Sequence, residues 1–351
     1  MHELNKALVI RFSSIGDVIL ASPALRVLRA FFPAAHIDFV TKAEYSDLVR
    51  FNPHLTSLIL LESGDDDELK RLRARIRYEK YDTIIDLHNS LRSRYLRWMS
   101  GARTIRVVRK RAAARFALVN LKRNWYRQPV VPVAQRYLEV LQSFGVNDDQ
   151  GGLEVFVPPD TVTSVNALMS GCRLGDYRTV IGLVPSGKHF TKRWPADRFA
   201  AFGAGAANKF GAKLIIFGGK DDVDYCGDIA QLINRDSSKS VAESFAGRLS
   251  LLETAAAMDH CEIVVSNDTG LMHLAAARKR KVVAIFGSTV KEFGFFPYAT
   301  ENVVLERAGL PCRPCTHIGR EECPEGHFRC LREIEVEHVL EAVHSYLRPV
   351  A

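Results

Sequence analysis

The sequence of 351 residues lacks any run of about 18 apolar residues, so no transmembrane helix is expected. It begins MHELNK and passes directly into an apolar stretch, without the layout of a secretory signal peptide. The turn after that stretch is not a Gly-x-Gly-x-x-Gly fingerprint, so a nicotinamide or flavin cofactor is not supported. These absences predict a cytoplasmic protein without a dinucleotide cofactor.

Acidic residues are scarce between positions 70 and 127, where three of them stand against eighteen lysines and arginines. The net charge of +8 is therefore not spread evenly along the chain. Such a region is either a solvated basic face or a surface for an acidic partner, such as anionic lipid, a phosphorylated glycan or nucleic acid. No nucleic-acid motif accompanies it, which disfavours nucleic acid. Trp98, Trp125 and Tyr126 would instead suit a helix lying on a membrane surface.

Residues 261–277 read as a buried strand, CEIVV, a turn, SNDTG, and an Ala-rich helix. A strand that breaks at such a turn and continues as a helix presents backbone N–H groups at the helix N-terminus. These donors and the helix dipole stabilise an anion such as a diphosphate. His273 lies about one turn into this helix. The alternative interpretation is an ordinary Asp or Thr helix cap.

The same arrangement occurs in the first twenty residues, where the strand ALVI is followed by the turn SSIGD and a helical pattern from Val18 to Phe31. Asp17 is therefore expected where a parallel strand ends and a helix begins, which is where open α/β sheets bind ligands. Its carboxylate could serve as a helix cap, a ligand anchor or a general base. Gly16 would let a substrate approach the backbone closely.

Strand and helix patterns alternate twice along the chain, which favours two doubly wound α/β domains. The nine expected strands lie at 7–10, 36–40, 57–61, 83–87 and 104–108 in the first half and at 180–183, 213–217, 261–265 and 282–286 in the second. The polar, proline-bearing stretch 150–160 predicts the connection between them. Two such domains facing each other across a cleft define the GT-B architecture. We therefore predict an N-terminal domain at 1–160, a C-terminal domain at 161–332, and a final segment at 333–351. That last segment is expected to form a helix that packs back on the N-terminal domain.

Three motifs in order, RFSSIGD at 11–17, KRWP at 192–195 and NDTGLMH at 267–273, resemble those of the ADP-heptose:lipopolysaccharide heptosyltransferases. The resemblance, closest to heptosyltransferase II, implies a cytoplasmic inverting GT-B enzyme at the inner face of the membrane. It would transfer L-glycero-D-manno-heptose from ADP-heptose to the inner core of lipopolysaccharide, with no cofactor required for catalysis. A related transferase acting on protein or another glycan, and a non-catalytic nucleotide- or metal-binding module, are the alternatives.

The resemblance also implies that the domain at 1–160 binds the acceptor and that the domain at 161–332 binds the donor. It further implies roles for individual residues. Asp17 would be the general base and Lys192 the cation at the donor diphosphate. Further contacts to the donor are expected from residues of five loops: Ser13, Ser14, Gly16, Ser186, Gly187, Lys188, Asp224, Leu249, Asp268, Thr269, Gly270 and His273. The acceptor is expected to meet basic side chains of the N-terminal half, namely Arg106, Arg109 and Arg111.

Four of the seven cysteines are clustered near the C-terminus, at Cys312, Cys315, Cys323 and Cys330. A Cys-x2-Cys pair with two further cysteines supplies enough ligands for structural zinc or iron. The spacing of the second pair is unlike that of a regular zinc ribbon. Reduced thiols that pack a loop are therefore the other interpretation, and a cytoplasmic setting argues against disulfides.

Overall fold

The computed structural model describes residues 4–237 and 239–347, and the chain divides into two compact units. The first unit comprises the chain up to Arg111 together with Val131–Phe156. The second comprises Ala112–Val130 and the chain from Val157 onward. The chain therefore passes between the units three times, whereas the sequence analysis places a single connection at 150–160.

The first unit is built on a five-stranded parallel sheet with the strand order β3-β2-β1-β4-β5. Its strands are β1 (Lys6–Ile10), β2 (His36–Lys42), β3 (Ser57–Leu61), β4 (Thr83–Asp86) and β5 (Thr104–Val107). The order reverses between β1 and β4, so the loops after these two strands diverge to opposite sides of the sheet. Ligands bind at such a switch point in open α/β sheets.

The second unit contains a six-stranded parallel sheet with the order β11-β10-β9-β6-β7-β8. Its strands are β6 (Thr179–Val184), β7 (Ala212–Ile216), β8 (Ala242–Ser244), β9 (Ile263–Asn267), β10 (Lys281–Phe286) and β11 (Asn302–Glu306). The switch point lies between β6 and β9. Both edge strands, β8 and β11, are absent from the strands expected from sequence, because a three-residue strand and a half-buried edge strand carry a weak apolar pattern.

Helices connect the strands in both units. Within the described residues they are α1 (Ile15–Leu20), α2 (Ser22–Phe31), α3 (Asp47–Arg50), α4 (Asp66–Glu79), α5 (Leu91–Arg97), α6 (Ala112–Asn120), α7 (Val133–Glu139), α8 (Pro159–Ser170), α9 (Ala196–Phe210), α10 (Val223–Arg235), α11 (Leu251–Met258), α12 (Gly270–Ala277), α13 (Arg329–Arg332) and α14 (Val336–Leu347).

The single helix expected to start at Val18 and end at Phe31 is two helices, α1 and α2, separated at Ala21. Pro23 has no N–H to donate to the carbonyl of Ile19, which would be its partner in a continuous helix. The hydroxyl of Ser22 donates to that carbonyl instead, at 2.7 Å. The break therefore follows from the proline, and the Ile19 carbonyl still receives a hydrogen bond from the Ser22 hydroxyl.

The segment Ala112–Val130 belongs to the second unit, although the sequence analysis places it in the N-terminal domain. Leu118 and Tyr126 pack with Val290 and Phe293 in a small apolar cluster. The ammonium of Lys122 donates to the backbone carbonyls of Cys312 and Pro314, at 3.0 and 2.7 Å. Apolar packing and these hydrogen bonds explain why the segment clusters with the second unit.

The C-terminal helix also differs from the sequence analysis, which expects it on the N-terminal domain. α14 packs on α9, and Val339, Leu340 and Val343 are buried in the core of the second unit. The Leu340 side chain lies close to Gly205 of α9, where an added Cβ would be 3.1 Å from it. A small residue on α9 therefore lets the apolar face of α14 approach closely. The last four positions, 348–351, lie outside the described residues.

Candidate active site

Asp17 lies in the first turn of α1, directly after β1, as the sequence predicts. Its Oδ1 accepts a hydrogen bond from the Tyr137 hydroxyl at 3.1 Å and forms an ion pair with Arg11 Nη2 at 2.6 Å. Its Oδ2 accepts from the Ser14 hydroxyl at 3.2 Å and from the Ser14 N–H at 3.4 Å. These contacts make Asp17 part of a helix cap as well as the centre of a buried polar group.

The neighbours of Asp17 keep its carboxyl group ionised. Burial by itself raises the pKa of Asp17, but the charge and hydrogen bond of Arg11 oppose this effect, with further help from Ser14 and Tyr137. The net result is a pKa below the ordinary value for aspartic acid. Asp17 is therefore a carboxylate at neutral pH, which is the protonation state that a general base needs.

Other polar residues lie at the same sheet edge, after β4 and β5. His88 follows β4, and its ring lies 4.8 Å from that of Phe12. Burial, followed by the charges of Arg11 and Lys110, lowers the pKa of His88 to about 4, so the imidazole is neutral at physiological pH. Arg109 and Arg111 follow β5. This strand lies beside β4, and β4 lies beside β1.

Arg106 differs from the other two arginines expected to meet the acceptor. It lies within β5, where its Nε donates to the Ser143 hydroxyl at 2.6 Å. Its guanidinium also lies 5.5 Å from the centre of the Phe144 ring. Arg106 therefore fastens β5 to the segment that carries Ser143, whereas Arg109 is exposed.

In the second unit, Lys192 and Asp268 come together from loops far apart in the sequence. The Lys192 ammonium is 2.7 Å from Asp268 Oδ2, and the Thr289 hydroxyl donates to the same oxygen at 2.7 Å. The Asp268 side chain is only 6% exposed. Because one carboxylate oxygen holds only one of the three lysine donors, the ammonium still has donors for an anion.

The loop after β9 is fixed to the KRWP segment by Asn267. Its Oδ1 accepts from the backbone N–H of Trp194 at 3.0 Å, and its Nδ2 donates to the carbonyl of Pro185 at 2.7 Å. Asn267 therefore joins the ends of the two strands at the switch point to the loop that carries Lys192. The sequence motifs 192–195 and 267–273 meet through this side chain.

Thr269 is the N-cap residue of α12, and Gly270 is its first helical residue. The Thr269 hydroxyl is buried, and within the described residues it has no hydrogen-bond partner. His273 is buried one turn later, with its ring 6.4 Å from that of Phe295. A helix of eight residues thus begins beside the Lys192–Asp268 pair, with a buried hydroxyl at its start.

The remaining residues expected at the donor lie on neighbouring loops of the second unit. Ser186 is buried after β6, Lys188 is exposed, and a Cβ added to Gly187 would lie 3.1 Å from Thr269. Leu249 is half-buried before α11. Asp224 is exposed in the first turn of α10.

Asp222 lies two residues before Asp224 and is the carboxylate that takes part in the local contacts. It accepts from the Gly219 N–H at 3.0 Å and lies 3.7 Å from Arg193. Arg193 in turn donates to the carbonyl of Gly187 at 2.6 Å. The sequence predicts Asp224 from this acidic run, but the contacts with Gly219 and Arg193 are made by Asp222. Neighbouring aspartates can be told apart only by contacts of this kind.

The four clustered cysteines do not form a metal site in the structure. In the described part of the chain, no group of three or more His, Cys, Asp or Glu side chains is arranged to hold a metal ion. Cys330 is buried in the core of the second unit, and burial raises the pKa of its thiol to about 12. In this environment Cys330 is a protonated thiol that packs in the core.

The sequence by itself indicates no role for Tyr137, His88 or Thr289, and it indicates Arg11 only as part of the motif RFSSIGD. Tyr137 comes from α7, far along the chain, and an isolated Tyr in a helical pattern carries no signal of its position. Thr289 follows β10, which borders β9 in the sheet. Counting polar residues at the ends of neighbouring strands would have indicated Thr289, but nothing local indicates Tyr137.

No helix in the described ranges is both long and apolar enough to span a bilayer.

Comparison with known proteins gives consistent matches over nearly the whole chain. The family model described as glycosyltransferase family 9 (heptosyltransferase) matches residues 69–326. The lipooligosaccharide heptosyltransferase 2 of Campylobacter jejuni is 25% identical over 336 residues, covering 95% of this chain and 96% of that protein.

Two solved structures establish the fold class. The family 9 glycosyl transferase of Veillonella parvula superposes with a TM-score of 0.78 at 24% identity, over 99% of this chain and 98% of that one. The ADP-heptose lps heptosyltransferase II of E. coli gives 0.71 at 23%, over 97% and 98%. The prediction of two parallel-sheet α/β domains of the GT-B class is confirmed.

Proposed function

Because the chain belongs to glycosyltransferase family 9, the heptosyltransferases, we propose that this glycosyltransferase transfers L-glycero-D-manno-heptose from ADP-heptose to the inner core of lipopolysaccharide. The observation that carries the proposal is the Lys192–Asp268 pair beside the N-terminus of α12. A lysine and a helix N-terminus together stabilise a diphosphate, both in the bound donor and as the leaving group.

The proposed reaction is inverting, and it assigns a separate task to each unit. Asp17 removes the proton of the acceptor hydroxyl as this oxygen attacks the anomeric carbon, on the face opposite the leaving ADP. Lys192 and the backbone N–H groups at the start of α12 neutralise the charge that develops on the diphosphate. The ionised state of Asp17 at neutral pH supports its part, because only the carboxylate form can accept a proton.

A panel of donors and acceptors tests the proposal. The protein is incubated with ADP-heptose, ADP-glucose or UDP-glucose and with core acceptors that carry no heptose or one heptose, and products are identified by mass. We expect a mass gain of one heptose, from ADP-heptose, on the acceptor that already carries one heptose. The sequence resembles heptosyltransferase II, which adds to a first heptose, and this resemblance favours that acceptor. Transfer only to a protein or to an unrelated glycan would contradict the proposed acceptor.

We propose that Arg109 and Arg111 attract the phosphate or carboxylate groups of the acceptor, since they follow β5 at the sheet edge where Asp17 lies. Arg109→Gln combined with Arg111→Gln is expected to raise the acceptor KM roughly 3- to 20-fold and to leave the donor KM unchanged. The difference should shrink as salt rises, because exposed charges are screened over about 8–10 Å.

Arg106 is left out of that variant, since its hydrogen bond to Ser143 would make a packing defect look like an acceptor defect. Arg235→Gln is the matched control, because Arg235 is a largely exposed arginine on α10, paired with the neighbouring Asp236. An acceptor KM that responds neither to salt nor to the double substitution would show that these arginines do not meet the acceptor.

We also propose that the first unit binds peripherally to the anionic inner membrane, through a surface that includes Trp98. Trp98 is 61% exposed, and the Arg73 guanidinium lies 4.7 Å from its ring centre, so an apolar ring and a cation are presented together. Trp98→Ser is expected to lower binding to phosphatidylglycerol vesicles by about tenfold in a flotation assay. Phe51→Ser, at another exposed aromatic residue, is the control.

Equal flotation of Trp98→Ser and the unmodified protein, or equal binding to phosphatidylcholine, would remove this surface from the proposal. Trp125, in the second unit, is also exposed. Tyr126, which the sequence analysis grouped with these tryptophans, is instead buried, with its ring 6.2 Å from that of Phe293.

A further inference from the structure

The two oxygens of the Asp17 carboxylate have different surroundings. Oδ1 is held by two donors from other elements: Arg11 Nη2 at 2.6 Å and the Tyr137 hydroxyl at 3.1 Å. Among the described residues, Oδ2 meets only Ser14, through contacts of 3.2 and 3.4 Å that belong to the N-terminal turn of α1. The short, charged contact with Arg11 is made to Oδ1, so Oδ2 is the more available oxygen.

We propose that Arg11 and Tyr137 are positioning residues for the base, which hold Oδ1 and thereby assign Oδ2 as the atom that receives the acceptor proton. This inference rests on the proposed function, in which Asp17 is the base. The acceptor O–H bond breaks and its proton moves to Oδ2, while the oxygen forms the new bond to the anomeric carbon. The bond from that carbon to the diphosphate breaks, and its electron pair leaves with ADP.

Both positioning side chains are themselves fixed by the fold. Arg11 Nη1 donates to the backbone carbonyl of Leu87 at 2.7 Å, at the end of β4. The Arg11 guanidinium also lies 5.6 Å from the centre of the Tyr137 ring. Tyr137 is buried on α7, with 2% of its surface exposed. A base that is held by rigid neighbours keeps the geometry that proton transfer needs.

Two tyrosines and one histidine near Asp17 are uncharged at neutral pH. Burial, together with the charge of Glu44, raises the pKa of Tyr45 to about 12, and burial raises that of Tyr137 well above its ordinary value. His88 is neutral because burial lowers its pKa to about 4. Asp86 and Lys110 act less directly, through Arg11 and His88 respectively. The ion pair with Arg11 therefore dominates the electrostatics of the base.

The pH dependence of turnover separates positioning from a structural role. In Arg11→Gln, burial of Asp17 is no longer opposed by a cation, so its pKa rises. We expect a new acidic limb in the kcat profile, at higher pH than any limb that Asp17 gives in the unmodified enzyme. At about pH 6, kcat should be roughly 10- to 100-fold lower, and it should recover in part at higher pH.

Tyr137→Phe removes one neutral hydrogen bond and keeps the ring under Arg11. We expect kcat to fall roughly 3- to 10-fold while the donor KM is unchanged. Tyr81→Phe is a matched control, because the Tyr81 hydroxyl donates to Asp38 at 2.5 Å in the same unit, outside this polar group. That variant should keep the kcat and the pH profile of the unmodified enzyme, even where it lowers the melting temperature.

The outcomes distinguish this inference from the proposed function. If Asp17→Asn abolishes turnover but Tyr137→Phe keeps the kcat of the unmodified enzyme and Arg11→Gln creates no acidic limb, the positioning role is overturned. If Asp17→Asn itself turns over normally, the role of Asp17 as base fails first. Should Arg11→Gln not fold, Arg11→Lys, which retains a cation, is expected to lose less activity than Arg11→Met. Equal losses in these two variants would overturn the charge-based role of Arg11.

Discussion

Asp17→Asn is expected to lower turnover by about 10²- to 10⁴-fold, the usual range for the loss of a general base. The amide has nearly the shape of the carboxylate and can accept from Arg11 and Tyr137, but it cannot take a proton from the acceptor. Binding of ADP should be retained, because Lys192 and α12 belong to the other unit. Steady-state rates and calorimetry with ADP measure the two effects separately.

The unmodified enzyme should show no loss of activity from Asp17 between pH 8 and about pH 5, because its pKa is lowered in the folded state. The same shift makes the stabilisation from this carboxylate fully present above the pKa of the unfolded chain, about 4. It is lost as pH falls through the lower pKa of the folded state. Turnover of Asp17→Asn near that of the unmodified enzyme would remove Asp17 from the mechanism.

Lys192→Ala is expected to weaken ADP binding roughly 10- to 100-fold and to lower kcat as well. A charge-assisted hydrogen bond is worth about 1.5–3 kcal/mol, and the same ammonium would contact the diphosphate in the bound donor and in the leaving group. The substitution also leaves the buried carboxylate of Asp268 with Thr289 as its remaining side-chain donor. We therefore expect a loss of stability of about 1–3 kcal/mol.

Thermal melting in the absence of nucleotide measures the stability loss, so that it can be separated from the loss of binding. Lys209→Ala is the matched control, since Lys209 is an exposed lysine in the last turn of α9 and has no proposed role at the donor. It should melt like the unmodified protein and keep its affinity for ADP. If Lys192→Ala binds ADP and turns over like Lys209→Ala, Lys192 is a structural partner of Asp268 and not part of the donor site.

Much of the fold could be predicted because parallel strands and the turns after them are encoded locally. Of the eleven strands in the described residues, nine lie within two residues of their expected bounds. Asp17 lies in the first turn of the helix after β1, and Asp268 directly follows β9, as expected. Each of these features depends on an apolar run followed by Ser, Asn, Asp or Gly, which is a signal contained in about ten residues. Because this signal is local, the sequence alone indicates both motif loops.

The sequence by itself determined the alternation of strands and helices, the two loops that carry Asp17 and Asp268, and the family motifs. The tertiary structure decided which side chains surround those carboxylates: Tyr137 from α7, Arg11 and Thr289. It also decided that residues 112–130 and α14 pack in the second unit. These features depend on contacts between residues far apart in the chain. Shape complementarity and burial in the folded protein determine such contacts, and no local sequence pattern indicates them.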